Sequence, residues 1–394
     1  MLPAIMPLIM PLGSLSRLTL WLLGVFLAWH GTLPAALARP PEDRIAALRQ
    51  GINVTAWFRY PASRDPAALR SYLGDRAIGD LRQAGFGFVR LAVDPALTED
   101  PAILRELIEA IRRINRARLA VVVSIHPDGW RLETSQIDQN RLMATWKRLA
   151  TALRPLDPGQ VFPEVLNEPV FPRDPAGWHR LQHSLLGVIR PILPTSTIVL
   201  TGHDWGSIAG LEALTPEADP NVIYSIHLYD PSELTSLAAY RPGLDRAAVA
   251  RLPFPVLDPQ PCEAASDSAA DRQTRDLMRF YCSLRWDEAR VGQRIAAAAA
   301  WARRNDAALL AGEFGATVAL NPAARLRWLR AVREGFEANG IGWALWGYDD
   351  VMGLAIARPP GPSPVLNADV LHALGLRGME PRRVTQGFPR NVPP

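Results

Sequence analysis

The sequence predicts an α/β protein, a (β/α)8 TIM barrel with a long insertion after strand six. From Gly51 onward, short apolar runs alternate eight times with longer amphipathic stretches. Apolar runs in that alternation are typical of parallel strands that are buried on both faces and covered by helices. No glycine-rich phosphate turn follows the first run, which favours a closed barrel over an open dinucleotide-binding sheet.

Each predicted strand is an apolar run with turn residues on either side. In chain order the eight predicted strands are 51–58, 86–93, 119–126, 161–169, 196–203, 222–231, 307–315 and 340–348.

The predicted helices lie between these strands, and several of them open with Asp or Pro, as helix starts should. The clearest helical segments are 102–118, 138–153, 175–192, 287–304 and 322–339.

The segment 232–286 interrupts this regular alternation. It is rich in Pro, Ala and Asp and contains both cysteines of the chain. Because it is too long for an ordinary connection between a strand and a helix, we expect an insertion over the active-site face. No boundary divides the rest, so residues 39–394 are predicted to form one catalytic domain.

Residues 1–38 are predicted to be a signal peptide. They contain no acidic residue and one basic residue, Arg17, which is followed by an apolar run at 18–29 and by small residues ending at Ala38. The run is shorter than the roughly 20 residues that span a bilayer, which makes a retained anchor the weaker alternative. We therefore expect export to the periplasm or the medium, with no stable membrane span after cleavage.

Export would place Cys262 and Cys282 in an oxidising compartment, where the pair could close a disulfide. The alternative is two unpaired thiols.

The composition excludes several classes of partner. Hydrophobic residues make up 48% and charged residues 21%, as in a folded globular protein, and the net charge of +4 gives no case for binding nucleic acid. The chain has no Gly-x-Ser-x-Gly elbow, Walker loop or Cys-x-x-Cys pair. We expect no metal, no organic cofactor and a monomer.

Polar residues close most of the predicted strands, at the end of the barrel where catalytic groups lie. Two of them are carboxylates, Glu168 after strand four and Glu313 on strand seven. These strands are nearly opposite in an eight-stranded barrel, so both side chains can reach the mouth from opposite sides of a bound substrate. Glycoside hydrolysis needs such a pair, with one carboxyl protonated and the other ionised.

Around these two residues the chain resembles the family five glycoside hydrolases, the cellulase-like retaining barrels. The family carries Asn-Glu-Pro after strand four, similar to Asn167 and Glu168, and commonly Gly-Glu-Phe-Gly on strand seven, which matches 312–315. It also has an Arg, a His, a His-x-Tyr and a Trp after strands two, three, six and eight. The residues at these places are Arg90, His126, His227, Tyr229 and Trp346.

The resemblance implies a role for each residue. Glu168 would be the acid/base and Glu313 the nucleophile, held ionised by Arg90 and Tyr229. His227 would support the acid/base. Three further residues would bind the reacting sugar, with Asn167 on its 2-hydroxyl, His126 beside it and Trp346 as its stacking floor.

Further aromatic residues at or just past strand ends could stack on additional sugar units. Trp205, beside Asp204 in a short polar loop, is the strongest of these, and Trp130 is another. Core packing explains Trp57 and Phe58 equally well.

The sequence thus predicts an exported retaining β-glycoside hydrolase, an endo-β-1,4-glucanase acting on a polysaccharide or oligosaccharide. Alternatives are a β-mannanase or exo-β-glucanase of the same family, or a non-hydrolytic exported protein that binds carbohydrate or assists polysaccharide assembly.

Overall fold

A computed structural model describes residues 39–356 and 364–377. Eight parallel strands form a closed barrel in which each pairs with the next along the chain and β8 pairs with β1. This confirms the predicted (β/α)8 barrel. The predicted signal peptide lies outside the described residues.

The strands occur in the predicted places but are mostly shorter than predicted. They are β1 Gln50–Phe58, β2 Phe88–Val93, β3 Ala120–Ile125, β4 Val161–Glu164, β5 Ile198–Thr201, β6 Val222–Leu228, β7 Ala308–Phe314 and β8 Gly342–Leu345.

The helices cover the barrel and fill the long connection after β6. They are α1 Glu42–Ala47, α2 Pro66–Ser71, α3 Asp75–Ala84, α4 Pro101–Arg116, α5 Gln136–Leu153, α6 Pro175–Ile189, α7 His203–Gly206, α8 Ile208–Glu212, α9 Ser232–Thr235, α10 Arg246–Val249, α11 Pro259–Ser266, α12 Arg272–Leu284, α13 Glu288–Arg304, α14 Pro322–Ala338 and α15 Ala368–Ala373, with a 3-10 helix at Pro95–Glu99.

Acidic N-cap residues explain where several of the long helices begin. The side chains of Asp100, Asp174 and Asp287 accept hydrogen bonds from backbone N–H groups in the first turns of α4, α6 and α13. Such caps satisfy amides that the helix itself leaves unpaired. No helix among the described residues combines the length and apolar character needed to cross a membrane.

Side-chain alternation along the strands divides the core into two layers. On β3, Val121 and Val123 pack outward in the large cluster between barrel and helices, while Ala120 and Val122 belong to a smaller cluster inside the barrel. Leu48, just after α1, also packs against the inner cluster. The inner cluster starts at the first residues of β2 and β3, so the amino-terminal end of the barrel is filled with apolar side chains.

Polar side chains fill the other end of the barrel. On β2, β3 and β4, the residue two positions after the inner apolar layer also points into the barrel. These residues are Arg90, Ser124 and Glu164, and all three are buried. The inside of the barrel therefore changes from apolar to charged towards the carboxyl ends of its strands, and this is where the candidate site begins.

The connection between β6 and α13 contains the predicted insertion, which folds into helices α9 to α12. A disulfide joins Cys262 of α11 to Cys282 of α12, with a Cα to Cα distance of 5.7 Å. The insertion also contacts the mouth of the barrel, because the Thr235 hydroxyl donates to the Tyr229 carbonyl at 2.6 Å and the Thr235 carbonyl accepts from Thr317 N–H at 2.8 Å.

Strand β4 ends five residues earlier than predicted. Extended backbone was expected to residue 169, but the strand stops at Glu164 and Glu168 has a left-handed φ of 41°. A positive φ is incompatible with a continuing strand, so Glu168 stands on a turn beyond the strand end.

Candidate active site

Glu313 lies inside the mouth of the barrel, near the end of β7, with 3% of its side chain exposed. The residue before it is glycine, in a place where a side chain would be too close to β6. A Cβ on Gly312 would come within 2.4 Å of Ser225 Oγ and 3.4 Å of His227 Nε2. The missing side chain allows β6 and β7 to approach closely, which brings Glu313 and His227 together.

Glu313 is held by partners from β2 and β6. Arg90 Nη1 donates to its Oε1 at 2.6 Å, and the hydroxyl of Tyr229 donates to its Oε2 at 2.8 Å. His227 Nδ1 lies 3.5 Å from the same Oε2 atom. Both carboxylate oxygens are therefore oriented by donors, which fixes the carboxyl plane.

Glu168 faces Glu313 from the loop after β4 and is more accessible, with 25% of its side chain exposed. His227 Nδ1 bonds to Glu168 Oε1 at 3.0 Å. The backbone on this side is anchored, because Trp205 N–H donates to the carbonyl of Pro169 at 3.2 Å.

Oxygen atoms of Glu168 and Glu313 and a ring nitrogen of His227 all lie within 4.8 Å of one another. A group of this composition offers three ligands that could hold a cation. The charge of Arg90, 2.6 Å from Glu313, opposes a second positive charge at this place. The absence of a metal from the mechanism therefore stays a prediction from the sequence.

Burial and neighbouring charges shift the pKa values of Glu313, Glu168 and His227 in different directions. Burial raises the pKa of Glu313 above its ordinary value, against the opposing charges of His227 and Arg90. Burial also acts to raise the pKa of Glu168, but the bond and charge of His227 outweigh it and hold that pKa below the ordinary value. Burial acts to lower the pKa of His227, and the charges of both carboxylates outweigh it and raise that pKa.

Tyr229 and His126 remain uncharged. Burial and the charge of Glu313 raise the pKa of Tyr229 well above 10, so its hydroxyl stays a donor. Burial and the charge of Arg90 lower the pKa of His126 well below 6.5.

Arg90 connects Glu313 to Asn167, which was predicted, and to Asn53, Ser124 and Glu164, which were not. Besides Glu313, its guanidinium donates to Asn53, Ser124, Glu164 and Asn167. Glu164 is a third carboxylate, buried inside the barrel within the apolar run of β4. Its inward position, two residues after the buried Phe162, was the signal that could have identified it.

Asn167 is oriented by this guanidinium. Its Oδ1 accepts from Arg90 Nη2 at 2.8 Å, which turns the amide nitrogen of the side chain away from Arg90 as a donor.

Another wall of the mouth is formed by His126, Trp346 and Arg59. The rings of His126 and Trp346 stack with centroids 6.1 Å apart, and the guanidinium of Arg59 lies 5.8 Å from the Trp346 ring. His126 is 2% exposed, and neither ring nitrogen has a hydrogen-bond partner among the described residues. Buried polar atoms without a partner are costly, so this wall is suited to a polar ligand. His126, Arg59 and Tyr60 line an adjoining cavity of about 330 Å³.

The other aromatic residues differ in exposure. Trp205 is 58% exposed, on a turn in which Asp204 and Trp205 both have left-handed φ values near 60°. Trp130 is half-buried beneath the guanidinium of Arg141. Trp57 and Phe58 are buried, and Trp57 Nε1 donates to a backbone carbonyl of α2, so both belong to the core.

The structure thus brings eight of the nine predicted site residues into one cluster at the mouth, while Trp205 stands at the rim. The cluster holds a buried carboxylate with two donors, a more accessible carboxyl bonded to an imidazole, and polar and aromatic walls. A site of this kind can carry out nucleophilic attack and proton transfer on a polar, ring-shaped substrate.

The sequence matches a family model described as Cellulase (glycosyl hydrolase family 5) over residues 51–350. That region includes β2 to β8, all of β1 except its first residue, Gln50, and every predicted site residue.

Two relatives illustrate the sequence similarity. Endoglucanase 3 from Fibrobacter succinogenes is 26% identical over 336 residues, which cover 78% of this chain and 50% of the relative. Endoglucanase C from Acetivibrio thermocellus is 22% identical over 321 residues, which cover 77% of this chain and 92% of the relative. The chain thus spans about half the length of the first relative and most of the second.

The fold is similar to solved structures of an endoglucanase from the hyperthermophilic Thermotoga maritima. One superimposes with a TM-score of 0.68 at 23% identity and covers 85% of this chain and 99% of that one. Other structures of the same enzyme are in complex with cellobiose and with mannotriose.

Proposed function

The chain belongs to the cellulase family, glycosyl hydrolase family 5, and on that basis we propose that it is an exported, retaining endo-β-1,4-glucanase. Glu313 is the nucleophile and Glu168 the acid/base.

The spacing of the two carboxyls carries this proposal. One oxygen of Glu168 lies within 4.8 Å of one oxygen of Glu313. Retaining glycosidases have carboxyl groups about 5 to 5.5 Å apart, whereas inverting enzymes separate them by roughly 6.5 to 9.5 Å to admit a water molecule. The short distance supports direct attack by Glu313.

In the first step, an oxygen of Glu313 attacks the anomeric carbon and the bond to the leaving oxygen breaks. Glu168 gives its proton to that oxygen, so the product leaves as a neutral alcohol. The sugar remains bound to Glu313 as an ester. Arg90 and Tyr229 hold the carboxyl plane, and Asn167 donates to the 2-hydroxyl of the reacting sugar.

His227 supplies the proton that Glu168 needs. Glu168, His227 and Glu313 are close enough to titrate as one coupled set. In the free protein His227 holds the proton, since its pKa is raised while that of Glu168 is lowered. Transfer from Nδ1 to Glu168 Oε1 over 3.0 Å leaves a neutral imidazole and a protonated acid.

In the second step, Glu168 takes a proton from water, whose oxygen attacks the anomeric carbon and displaces Glu313. The proton can then return to His227. Two displacements on one carbon restore the original configuration. Arg90 and Tyr229 stabilise the carboxylate as it leaves, because both donors already point at its oxygens.

The walls of the mouth fit a neutral pyranose. Trp346 presents an aromatic face for the apolar face of a sugar ring, and the unpartnered ring nitrogens of His126 suit its hydroxyls. The cavity beside His126 has room for a further sugar unit, and exposed Trp205 offers a platform at the rim. We choose β-1,4-glucan because the relatives are endoglucanases, and β-mannan is second because the Thermotoga maritima enzyme also has a mannotriose complex.

The proposal includes a signal peptide and its cleavage site. Residues 1–38 act as a signal peptide that is removed after Ala38, and residues 39–394 are released as the catalytic domain into the periplasm or medium. Amino-terminal sequencing of protein recovered outside the cytoplasm should begin at Arg39. Recovery of the uncleaved chain in membranes would instead indicate that the apolar run at 18–29 is retained as a membrane anchor.

Reducing-end release from a panel of glycans tests the proposed activity. The panel contains soluble β-1,4-glucan, mixed-linkage glucan, β-mannan, xyloglucan and β-1,3-glucan. We expect activity on β-1,4-glucan with an early fall in viscosity, which indicates internal cleavage. Glu313→Gln should abolish it, while Glu334→Gln, a matched change at an exposed carboxylate on helix α14, should not.

Two results would contradict the proposal. Release of one small product from the start, without loss of viscosity, would indicate an exo-acting enzyme. Binding of glucan by the folded protein without any cleavage would indicate a non-hydrolytic carbohydrate-binding protein.

A further inference from the structure

The guanidinium of Arg90 is shared between two buried carboxylates. On one side Nη1 reaches Glu313, and on the other Nε and Nη2 bond to the two oxygens of Glu164 at 2.6 and 2.9 Å. The side chains of Arg90 and Glu164 are 0% and 1% exposed. A paired, two-point bond of this kind fixes both the position and the rotation of a guanidinium.

That rotation determines which atoms reach the reaction centre. With Glu164 on Nε and on one N–H of Nη2, the two N–H groups of Nη1 point to Glu313 and Asn53, and the second N–H of Nη2 is shared between Ser124 and Asn167. The nucleophile and the amide that orients the 2-hydroxyl are thus aligned by one rigid group. Asn53 completes the alignment, since its Nδ2 donates to the carbonyl of Gly312, the residue before Glu313.

Glu164 also changes the charge that Glu313 experiences. One guanidinium beside one buried carboxylate would neutralise it and weaken it as a nucleophile. A second carboxylate on the same guanidinium offsets that positive charge, so Glu313 keeps the hydrogen bond without the full charge of the cation.

We propose that Glu164 is a positioning residue that acts through Arg90, fixing the rotation of the guanidinium and offsetting its charge so that Glu313 remains reactive. This inference rests on the proposed function, because it assigns Glu313 as the nucleophile. Glu164 does not touch the substrate in this account.

Several charged or titratable groups face Glu313 besides Arg90. They are Glu168 from the loop after β4, and His227 and Tyr229 from β6 and its end. His126 from β3 and Arg59 from the loop after β1 lie further along the same wall. None of them contacts Glu164 in the hydrogen bonds described above, so a change at Glu164 reaches Glu313 by way of Arg90.

The pH dependence of kcat/KM tests the inference, with Glu164→Gln and Glu164→Asp compared. Glu164→Gln removes the negative charge that offsets Arg90. The positive charge of Arg90 should then lower the pKa of Glu313 and move the acid limb of the profile down by about one pH unit. We expect kcat to fall by about 10-fold to 100-fold with a smaller change in KM, because alignment in the transition state is lost. Glu164→Asp keeps the charge and should leave the acid limb in place.

Ser124→Ala is the matched control, since it removes a neutral hydrogen bond from the same Nη2 atom. It should leave the acid limb unshifted. If Glu164→Gln gives the wild-type pH profile, or if Glu164→Gln and Glu164→Asp shift the acid limb equally, the charge-offsetting role is wrong.

A measurement on the wild type applies even if neither Glu164 variant folds. The rate at which a 2-fluoro cellobioside inactivates the enzyme follows the ionisation of the nucleophile. We expect its acid limb at or above about 4.3, the ordinary value for Glu, despite the bond from Arg90. A limb below about 4.3 would overturn the inference, whereas a wild type without activity on any glycan would contradict the proposed function.

Discussion

At the scale of single residues, the site is a set of charges that could not be buried separately. Glu313 is 3% exposed, and an isolated carboxylate at such a place would be neutral. Arg90, Tyr229 and His227 surround it with donors, and Glu164 balances Arg90 from the other side. Removing one member of such a group leaves another charge uncompensated, which explains why the positions act together.

His227 provides a pH test at this scale. Because the charges of Glu313 and Glu168 raise its pKa, the proton stays on His227 above its ordinary value of about 6.5 and is lost as pH rises through the shifted pKa. The alkaline limb of kcat/KM should therefore lie above about 6.5. His227→Gln removes this proton site, and we expect the alkaline limb to move to lower pH and activity to fall by about 100-fold.

Two comparisons give this test its controls. His372→Gln, on the exposed face of α15, should leave the profile unchanged. An aryl cellobioside with an acidic leaving group needs little protonation, so its first step should lose much less activity in His227→Gln. An unchanged alkaline limb in His227→Gln would show that His227 does not supply the proton.

The sequence pattern predicted which residues belong to this site better than it predicted the contacts between them. Glu168 and Glu313 were identifiable because a carboxylate after an apolar strand has to be paired or used. Glu164 was missed because it lies within the apolar run, where only the inward alternation with Phe162 distinguishes it. Arg59 was missed because it follows the end of β1, and its approach to Trp346 depends on the path of a loop.

At the scale of elements, strand and helix positions followed from periodicity, but their ends depended on local backbone geometry. Helices α4, α6 and α13 begin where their Asp caps are, as the sequence indicates. Strand β4 ends at Glu164, and the backbone then turns at Glu168, whose left-handed φ has no clear signal in the sequence Asn-Glu-Pro. The displaced end places Glu168 beyond the sheet, opposite Glu313.

The close approach of β6 and β7 can be tested at Gly312. Gly312→Ala would put a methyl group 2.4 Å from Ser225 Oγ and should push the strands apart at the site. We expect kcat/KM to fall by about 100-fold and stability by about 1 to 3 kcal/mol. Initial rates and urea unfolding measure the two effects.

Gly187→Ala in helix α6 is the matched control, because a Cβ there meets nothing within 4 Å. It should keep full activity and gain roughly 0.5 to 1 kcal/mol from better helix propensity. Equal behaviour of the two variants would mean that the strands do not need their close approach at Gly312.

The disulfide allows a test of the insertion as an element. Replacing Cys262 and Cys282 together by Ser opens the bond between α11 and α12. The expected cost is about 3 kcal/mol of unfolding free energy, since the bond closes a loop of moderate length. Because the insertion contacts the mouth through Thr235 and α9, away from the bond, kcat/KM should stay within about twofold. A large loss of activity in the folded variant would show that the disulfide positions the site.

At the scale of the whole molecule, the barrel brings distant parts of the sequence to one end. The residues of the site come from several strands between β1 and β8 and from the loops that follow them, and the parallel order places all these strand ends on the same side. Eight alternating segments were enough to predict this architecture. They could not predict the size of the cavity beside His126 or the exposure of Trp205, which depend on how loops of different length pack.

The most direct test of the central claim is to trap the covalent intermediate. The wild-type protein is incubated with 2,4-dinitrophenyl 2-deoxy-2-fluoro-β-cellobioside, and the intact mass and the peptide masses are then measured. The account predicts one fluorocellobiosyl group per chain, carried by the peptide that contains Glu313, and no label on Glu313→Gln. Absence of label from an active enzyme, together with NMR signals of an inverted product, would contradict the two-step mechanism.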